Sequence, residues 1–202
     1  MERWPYLISD HELSLRPLRY QDRAAWLKVR RANAAWLAPW EATRPIIESD
    51  APLPSYFGMV RYYNKEGREL RSLSLGIWLR VKGRERLIGQ ITLGGIVLGA
   101  YRGGHIGYWI DQSVANRGYT TRAVKALTRF AFTELQLHRI EINLRPENAA
   151  SKKVAEKAGY IFEGVRERYL HIAGDWRDHL TFVAENANNF NRDIRVKYRL
   201  FT

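Results

Sequence analysis

The 202-residue chain contains no cysteine. Disulfides, a cysteine-ligated zinc site and a thiol nucleophile are therefore excluded, and the absence suits a reducing compartment. Acidic residues are scarce relative to basic ones: 21 Asp and Glu stand against 33 Lys and Arg, for a net charge of +12. That excess favours anionic partners such as nucleic acid, a ribosomal surface or a polyphosphate cofactor. A generally basic, solvated surface explains it equally well. No apolar run approaches the length of a membrane span, because the longest, residues 87–100, is broken by four Gly. Residues 1–11 mix charge, Pro and polar groups, without the apolar core of a secretory signal. No His, Asp and Glu cluster at metal-ligand spacing, so no metal is expected. These absences describe a soluble, cytoplasmic protein with no membrane partner.

What is present has an ordinary globular balance, 46% hydrophobic and 27% charged, which fits one compact domain over residues 1–185. Residues 13–18 alternate as a first strand. Apolar residues from Ala24 to Trp36 recur at helical spacing, which predicts a helix over 20–38 stopped by Pro39. A second helix is expected over 55–70. Strands follow over 72–81, 86–98 and 105–111, the first two joined by a turn at 82–85, as an antiparallel meander. Helix 118–135, strand 139–144, helix 148–158 and strands 160–172 and 176–184 complete the order. Asn148 and Gly159 cap the last helix, and Gly174-Asp175 make the final turn. The expected fold is α+β (α/β mixed sheet): a mixed, mostly antiparallel sheet of about seven strands with helices on both faces. Residues 186–202 read as a basic C-terminal tail, either a mobile terminus or an added strand, since Ile194, Val196 and Tyr198 alternate.

Chemistry concentrates where a strand runs through Tyr108-Trp109-Ile110-Asp111 into Ala115-Asn116-Arg117-Gly118-Tyr119-Thr120-Thr121 and straight into a helix. A helix N-terminus offers unpaired N–H groups and a partial positive charge, a site suited to phosphate. Gly118 lets the backbone approach an anion closely. Arg117, Arg122 and Lys125 add cationic charge, although an ordinary helix cap shares much of this pattern.

Six motifs in order make residues 105–184 resemble the GNAT acetyltransferases, specifically the RimJ/RimL branch that acetylates ribosomal-protein N-termini. They are Gly107-Tyr108-Trp109-Ile110, Arg117-Gly118-Tyr119-Thr120-Thr121-x-Ala123, His138-Arg139-Ile140-Glu141, Pro146-Glu147-Asn148-x-x-Ser151, Glu156-Lys157-x-Gly159-Tyr160-x-x-Glu163-Gly164, and Gly174-Asp175-Trp176-Arg177-Asp178-His179. Trp36-Leu37-x-Pro39-Trp40-Glu41 extends the resemblance toward the N-terminus. It implies a GNAT-like fold with a central splay, and acetyl-CoA as co-substrate for direct transfer to an amine. The pantetheine arm would lie along backbone at Trp109, Ile110 and Asp111. The pyrophosphate would sit on N–H groups from Asn116 through Arg117, Gly118, Tyr119 and Thr120 to Thr121. Asn148 would reach the pantetheine arm, and Lys152 or Lys153 the nucleotide end. The sequence departs from the family loop at Ala115, Asn116, Thr120 and Arg122, and Ala115 removes a side-chain contact that Gln or Arg would make.

Acetyl transfer needs an amine stripped of its proton, a polarised thioester oxygen and a protonated or stabilised thiolate. By the same resemblance, Ser151 is the candidate to protonate the sulfur, with Tyr108 and Tyr119 as alternatives. The position at which RimL-type enzymes keep a Glu falls near Tyr169 or Leu170, where no carboxylate stands. Glu41 is the first candidate for that work, and its place beside Trp36 and Trp40 suits a wall holding a cationic amine. Glu163, Glu167 and His105 are others, while Asp178 and His179 fall in a hairpin that reads as structural. The expected acceptor is a protein N-terminus, ribosomal or other, with weak rRNA contact through the basic surface. The alternatives are a small amine (polyamine or antibiotic), or a non-catalytic acyl-CoA- or RNA-binding GNAT-like protein.

Overall fold

Residues 73–81 read Leu-Ser-Leu-Gly-Ile-Trp-Leu-Arg-Val, and the computed structural model buries the first seven. The structure describes residues 4–45, 54–186 and 197–201. Alternate side chains leave opposite faces of a strand, so this strand feeds two cores. Leu73, Leu75, Ile77 and Leu79 join one large cluster, and Trp78 joins a second with Leu18, Tyr56, Val60 and Leu87. A strand buried on both sides must lie inside a sheet covered by helices on both faces.

The strands are β1 (Tyr6–Asp10), β2 (Leu13–Arg16), β3 (Leu73–Val81), β4 (Arg84–Val97), β5 (Gly103–Ile110), β6 (Arg139–Leu144), β7 (Ile161–Ile172), β8 (Asp175–Glu185) and β9 (Lys197–Leu200). They form one sheet in the order β7-β8-β6-β5-β4-β3-β2-β1-β9. Helices α1 (Arg23–Ala32) and α3 (Tyr56–Arg68) pack on the smaller core, and the short α2 (Ala34–Leu37) follows α1. Helices α4 (Tyr119–Thr133) and α5 (Ala149–Ala158) pack on the larger one. The α4 sequence puts Ala123, Val124, Leu127, Phe130 and Ala131 on one face, each almost fully buried. No helix among the described residues is long and apolar enough to cross a membrane.

Several boundaries differ from expectation. The sheet has nine strands rather than about seven, because Tyr6–Asp10 and Lys197–Leu200 also pair. β1 carries no long apolar alternation of its own and is held by partners on both sides, β2 and β9. The helix expected over 20–38 is broken: a 3-10 turn opens it at Tyr20–Asp22, and Asn33 leaves helical geometry between α1 and α2. The turns after β3 and β7 are tighter than expected. Lys82-Gly83 and Ala173-Gly174 adopt positive φ, so Arg84 and Asp175 already belong to strands, as in two-residue hairpins. Of the tail, residues 187–196 and 202 lie outside the described residues, Ile194 and Val196 among them.

Phe130 is 1% exposed and meets the edge of the Tyr6 ring at 4.8 Å between centroids. Phe130→Ala is expected to cost about 3–5 kcal/mol in urea unfolding. A loss below about 1 kcal/mol would mean that α4 does not anchor β1.

Candidate active site

β5 and β6 run parallel, and their register covers three pairs only: Gly103↔Arg139, Gly104↔Ile140 and His105↔Glu141. Beyond them β5 continues beside β4 to Ile110, and β6 beside β8 to Leu144. The two strands therefore part, and a wedge opens between them. The Asp111 amide donates to the Ile88 carbonyl at 2.7 Å, and its own carbonyl accepts from Val114. Partners alternate along an antiparallel ladder, so Trp109 turns its backbone groups, and Asp111 its amide, toward β4. Tyr108 and Ile110 turn theirs into the wedge. Of the three residues expected to bond a pantetheine arm, Ile110 thus has its amide on the open side.

The chain leaves β5 through Asp111 and a 3-10 turn at Gln112–Val114, then reaches α4 through an exposed loop, Asn116-Arg117-Gly118. Asn116 (φ 62°) and Gly118 (φ 79°) both take left-handed backbone. Gly118 is the N-cap of α4 and supplies no side-chain cap, so the amides of Tyr119, Thr120 and Thr121 open the helix without one. None of residues 115–121 is acidic. Consecutive amides at left-handed turns and a bare helix start make a concavity for an anion. Arg122 does not face it. Its guanidinium binds Asp10 (2.8 Å) at the end of β1 and Glu12 (2.6 Å) in the β1–β2 turn, so this departure from the family loop ties α4 to the β1–β2 hairpin.

α5 approaches from the other flank of the wedge. Asn148 caps it, its Oδ1 accepting from the Ser151 amide at 2.9 Å. That places the Ser151 hydroxyl 2.8 Å from the Tyr108 hydroxyl, which also reaches the Ser151 carbonyl at 3.3 Å. Burial pushes the Tyr108 phenol up to about 12, with Ser151 pulling the other way, so the pair holds its protons at neutral pH. Lys152 and Lys153 follow, exposed in α5.

A buried polar knot ties these parts to the opposite helices. Asn33, 2% exposed, donates to Asp111 Oδ1 (3.1 Å) and accepts from the Gln112 amide (2.8 Å). Arg86 and Ser113 bind the other Asp111 oxygen at 2.6 and 2.9 Å. Burial alone would raise the Asp111 carboxyl. The hydrogen bonds from Ser113, Asn33 and Arg86 overcome it and hold the group below the usual carboxylate range. Past Asn33 the chain forms a wall. The Glu41 carboxylate pairs with Arg30, whose guanidinium lies 5.2 Å from the Trp109 ring centroid. Arg145 donates to the Pro39 carbonyl and lies over Trp40, and Thr43 bonds His171 at the tip of the β7–β8 hairpin.

The sequence-derived site residues thus fall in three places around the wedge. Trp109, Ile110, Asp111 and residues 116–121 lie along one lip, Asn148, Ser151 and Lys152 along the other, and Glu41 in the wall. Glu163 is remote from Ser151's side, bound to Arg139, and His105 sits where β5 and β6 still pair. Tyr108's bond to Ser151 and Asn33's role in the knot span 43 and 78 positions in sequence, and only the fold reveals them.

The family model for the acetyltransferase (GNAT) domain matches residues 12–161. The probable N-acetyltransferase YjcK of Bacillus subtilis (strain 168) is 34% identical over 148 residues, 66% of this chain and 81% of that protein. The [ribosomal protein uS5]-alanine N-acetyltransferase of Escherichia coli (strain K12) is 28% identical over 79% of this chain and 81% of its own length. Among solved structures, Mycobacterium smegmatis RimJ in complex with CoA-disulfide superposes with a TM-score of 0.78 at 33% identity, covering 90% of this chain and 87% of that one.

Asp111→Asn keeps the shape of the knot and removes its charge. Because the folded carboxyl lies below its unfolded value, its stabilisation is complete above about pH 3.9 and is lost as pH falls through the folded value. The variant should be less stable at pH 7 by about 1.5–3 kcal/mol, with the gap closing in strong acid. A gap that does not change with pH in chemical unfolding would contradict this.

Proposed function

The chain belongs to the GNAT acetyltransferase family, and from that premise we propose that it moves an acetyl group from acetyl-CoA directly to an amino group, the N-terminal α-amine of a ribosomal or other protein. The observation that carries this reading is the wedge between β5 and β6, flanked by the bare start of α4 and by the Tyr108–Ser151 pair. The residues fit a pyrophosphate-bearing thioester: open amides on one lip, no acid in the loop, and cations at Arg117 and Lys152. When bound, acetyl-CoA supplies an activated acyl carbon and a thiolate leaving group.

The chain's own groups then divide the work. Amides of residues 116–121 hold the pyrophosphate, and the free backbone edge at Tyr108 and Ile110 orients the pantetheine arm and polarises the acyl oxygen. Asn148 spends its Oδ1 on the cap and keeps its amide nitrogen for the arm. The Tyr108 and Ser151 hydroxyls share a hydrogen bond that either can donate, and when Tyr108 donates to Oγ the serine proton is free for the sulfur. Glu41, paired with Arg30, shapes the acceptor wall with Trp36 and Trp40. The ribosomal-protein acetyltransferases among the relatives, together with the +12 charge, support a basic-surface enzyme working in the cytoplasm near anionic rRNA.

The test is mass spectrometry of acetyl-CoA reactions with a panel of free-N-terminal peptides beside spermidine. Acetylation confined to peptide α-amines is expected, and preference for spermidine would overturn the acceptor. In the same assay Ser151→Ala should lower kcat about 100-fold with KM for acetyl-CoA little changed, and unchanged kcat would remove Ser151 from the chemistry.

A further inference from the structure

Acetylation at an amine requires the ammonium proton to leave. Several carboxylates around the wedge are already engaged, among them Asp178, which accepts from the Arg168 amide. Arg30 holds Glu41, Arg139 and Arg166 hold Glu141, Arg139 holds Glu163, and Arg145 pairs with Glu147. Asp111 is locked in its knot. Among the histidines, His171 is bonded to Thr43, and His105 lies at the closed end of the wedge. His179 lies at the open end. Leu180 pairs with Leu144, the last residue of β6, so His179 stands one step beyond, where β6 turns away toward α5.

We propose that His179 is the general base that takes the acceptor's ammonium proton, reached through one bridging water. The inference rests on the acetyl-transfer reading above. Its first support is the tautomer. His179 Nδ1 lies 2.9 Å from the Arg177 carbonyl. A carbonyl only accepts, so Nδ1 carries the hydrogen, and the neutral ring has its lone pair on Nε2. Its second support is placement. A cavity of about 240 Å³ is lined by Arg145, Pro146, Glu147, Trp176, Arg177 and Asp178. Arg177 and Asp178 directly precede His179 on β8 and Arg145 follows Leu144, its neighbour's partner, so the cavity adjoins the strand position that carries the ring, although His179 does not itself line it. The residue is 2% exposed, which is why the transfer runs through water rather than by direct contact.

The groups facing the ring come from each neighbouring element. Tyr169 presents its ring edge at 5.8 Å and Arg166 stands opposite on β7. Arg145 and Glu147 belong to the β6–α5 connection, and Arg177 and Asp178 to β8. Burial lowers the imidazole's affinity for a proton. The Arg177 carbonyl pulls it back, Arg145 opposes, Asp178 and Glu147 assist, and the balance lies below the usual histidine value. The ring is therefore neutral at pH 7 and competent as a base. In the step, one N–H bond of the ammonium breaks and its electron pair stays on the nitrogen. The bridging water accepts that proton while giving one of its own to Nε2. The imidazolium returns its proton to bulk solvent before the next turnover.

The experiment is the pH profile of kcat/KM for wild type and His179→Gln, with a peptide bearing a free N-terminal alanine as acceptor. With the base present, the ammonium form is usable and the acid limb should lie below pH 6.5. Without it, only free amine reacts, so the midpoint should move up to about 8 and the rate at pH 7 should fall at least about tenfold. Acetyl-CoA binding by calorimetry should stay within about twofold, and added imidazole should restore part of the rate of His179→Gly. An unmoved midpoint in His179→Gln overturns the proposal. So does parallel loss of acetyl-CoA binding or folding in both His179→Gln and His179→Asn, which would make the residue structural. If wild type acetylates neither the peptide nor spermidine, the acetyl-transfer reading itself fails, an outcome distinct from both.

Discussion

Two parallel strands that stop bonding after three residue pairs leave backbone donors and acceptors facing each other across a gap. Buried groups of that kind must find partners. In this chain no strand fills the gap, and the Tyr108–Ser151 hydroxyl pair spans it where α5 begins. Each lip is instead stiffened from behind. β4 holds β5 out to Asp111, and β8 holds β6 out to Leu144. The unsatisfied edge is thus rigid and preformed, which is what a site needs if binding is not to be spent on ordering it. The bare α4 start and the Asn148-capped α5 start converge on the same opening, and the wedge gives both a common ligand to address.

Arginine does much of the remaining positioning. Arg122 secures the β1–β2 connection, Arg86 the Asp111 knot, Arg30 the Glu41 wall and Arg139 the outer strands. These pairs are partly exposed, so each adds little stability in isolation, but the two-pronged contacts of Arg122 with Glu12 and of Arg139 with Glu163 fix direction. Their consequence is chemical. They engage the carboxylates they bind, which is part of the ground on which His179 is proposed as the proton acceptor.

Local pattern made much of this legible before any coordinates. β6 begins and ends where alternation in Arg139–Leu144 places it, and α5 sits between its predicted Asn148 and Gly159 caps. The loop into α4 was readable because a glycine before an amphipathic run has a local meaning. What escaped depended on distant partners. Tyr6–Asp10 is a strand because β2 and β9 flank it, and α1 breaks at Asn33 because that amide serves Asp111 and Gln112 far along the chain. The direction of Arg122 was equally unreadable, since its carboxylate partners lie more than a hundred residues earlier.

The most direct measurement is calorimetric titration of acetyl-CoA into wild type and Gly118→Asp. At φ 79° aspartate is better tolerated than most residues, and a side chain at Gly118 meets nothing within 4 Å, so the substitution mainly adds a negative charge where the pyrophosphate belongs. Saturable binding by wild type, weakened at least about tenfold in a folded variant, is the predicted result. Equal affinity in the two proteins would place the cofactor elsewhere, and no binding by wild type would contradict the account at its base.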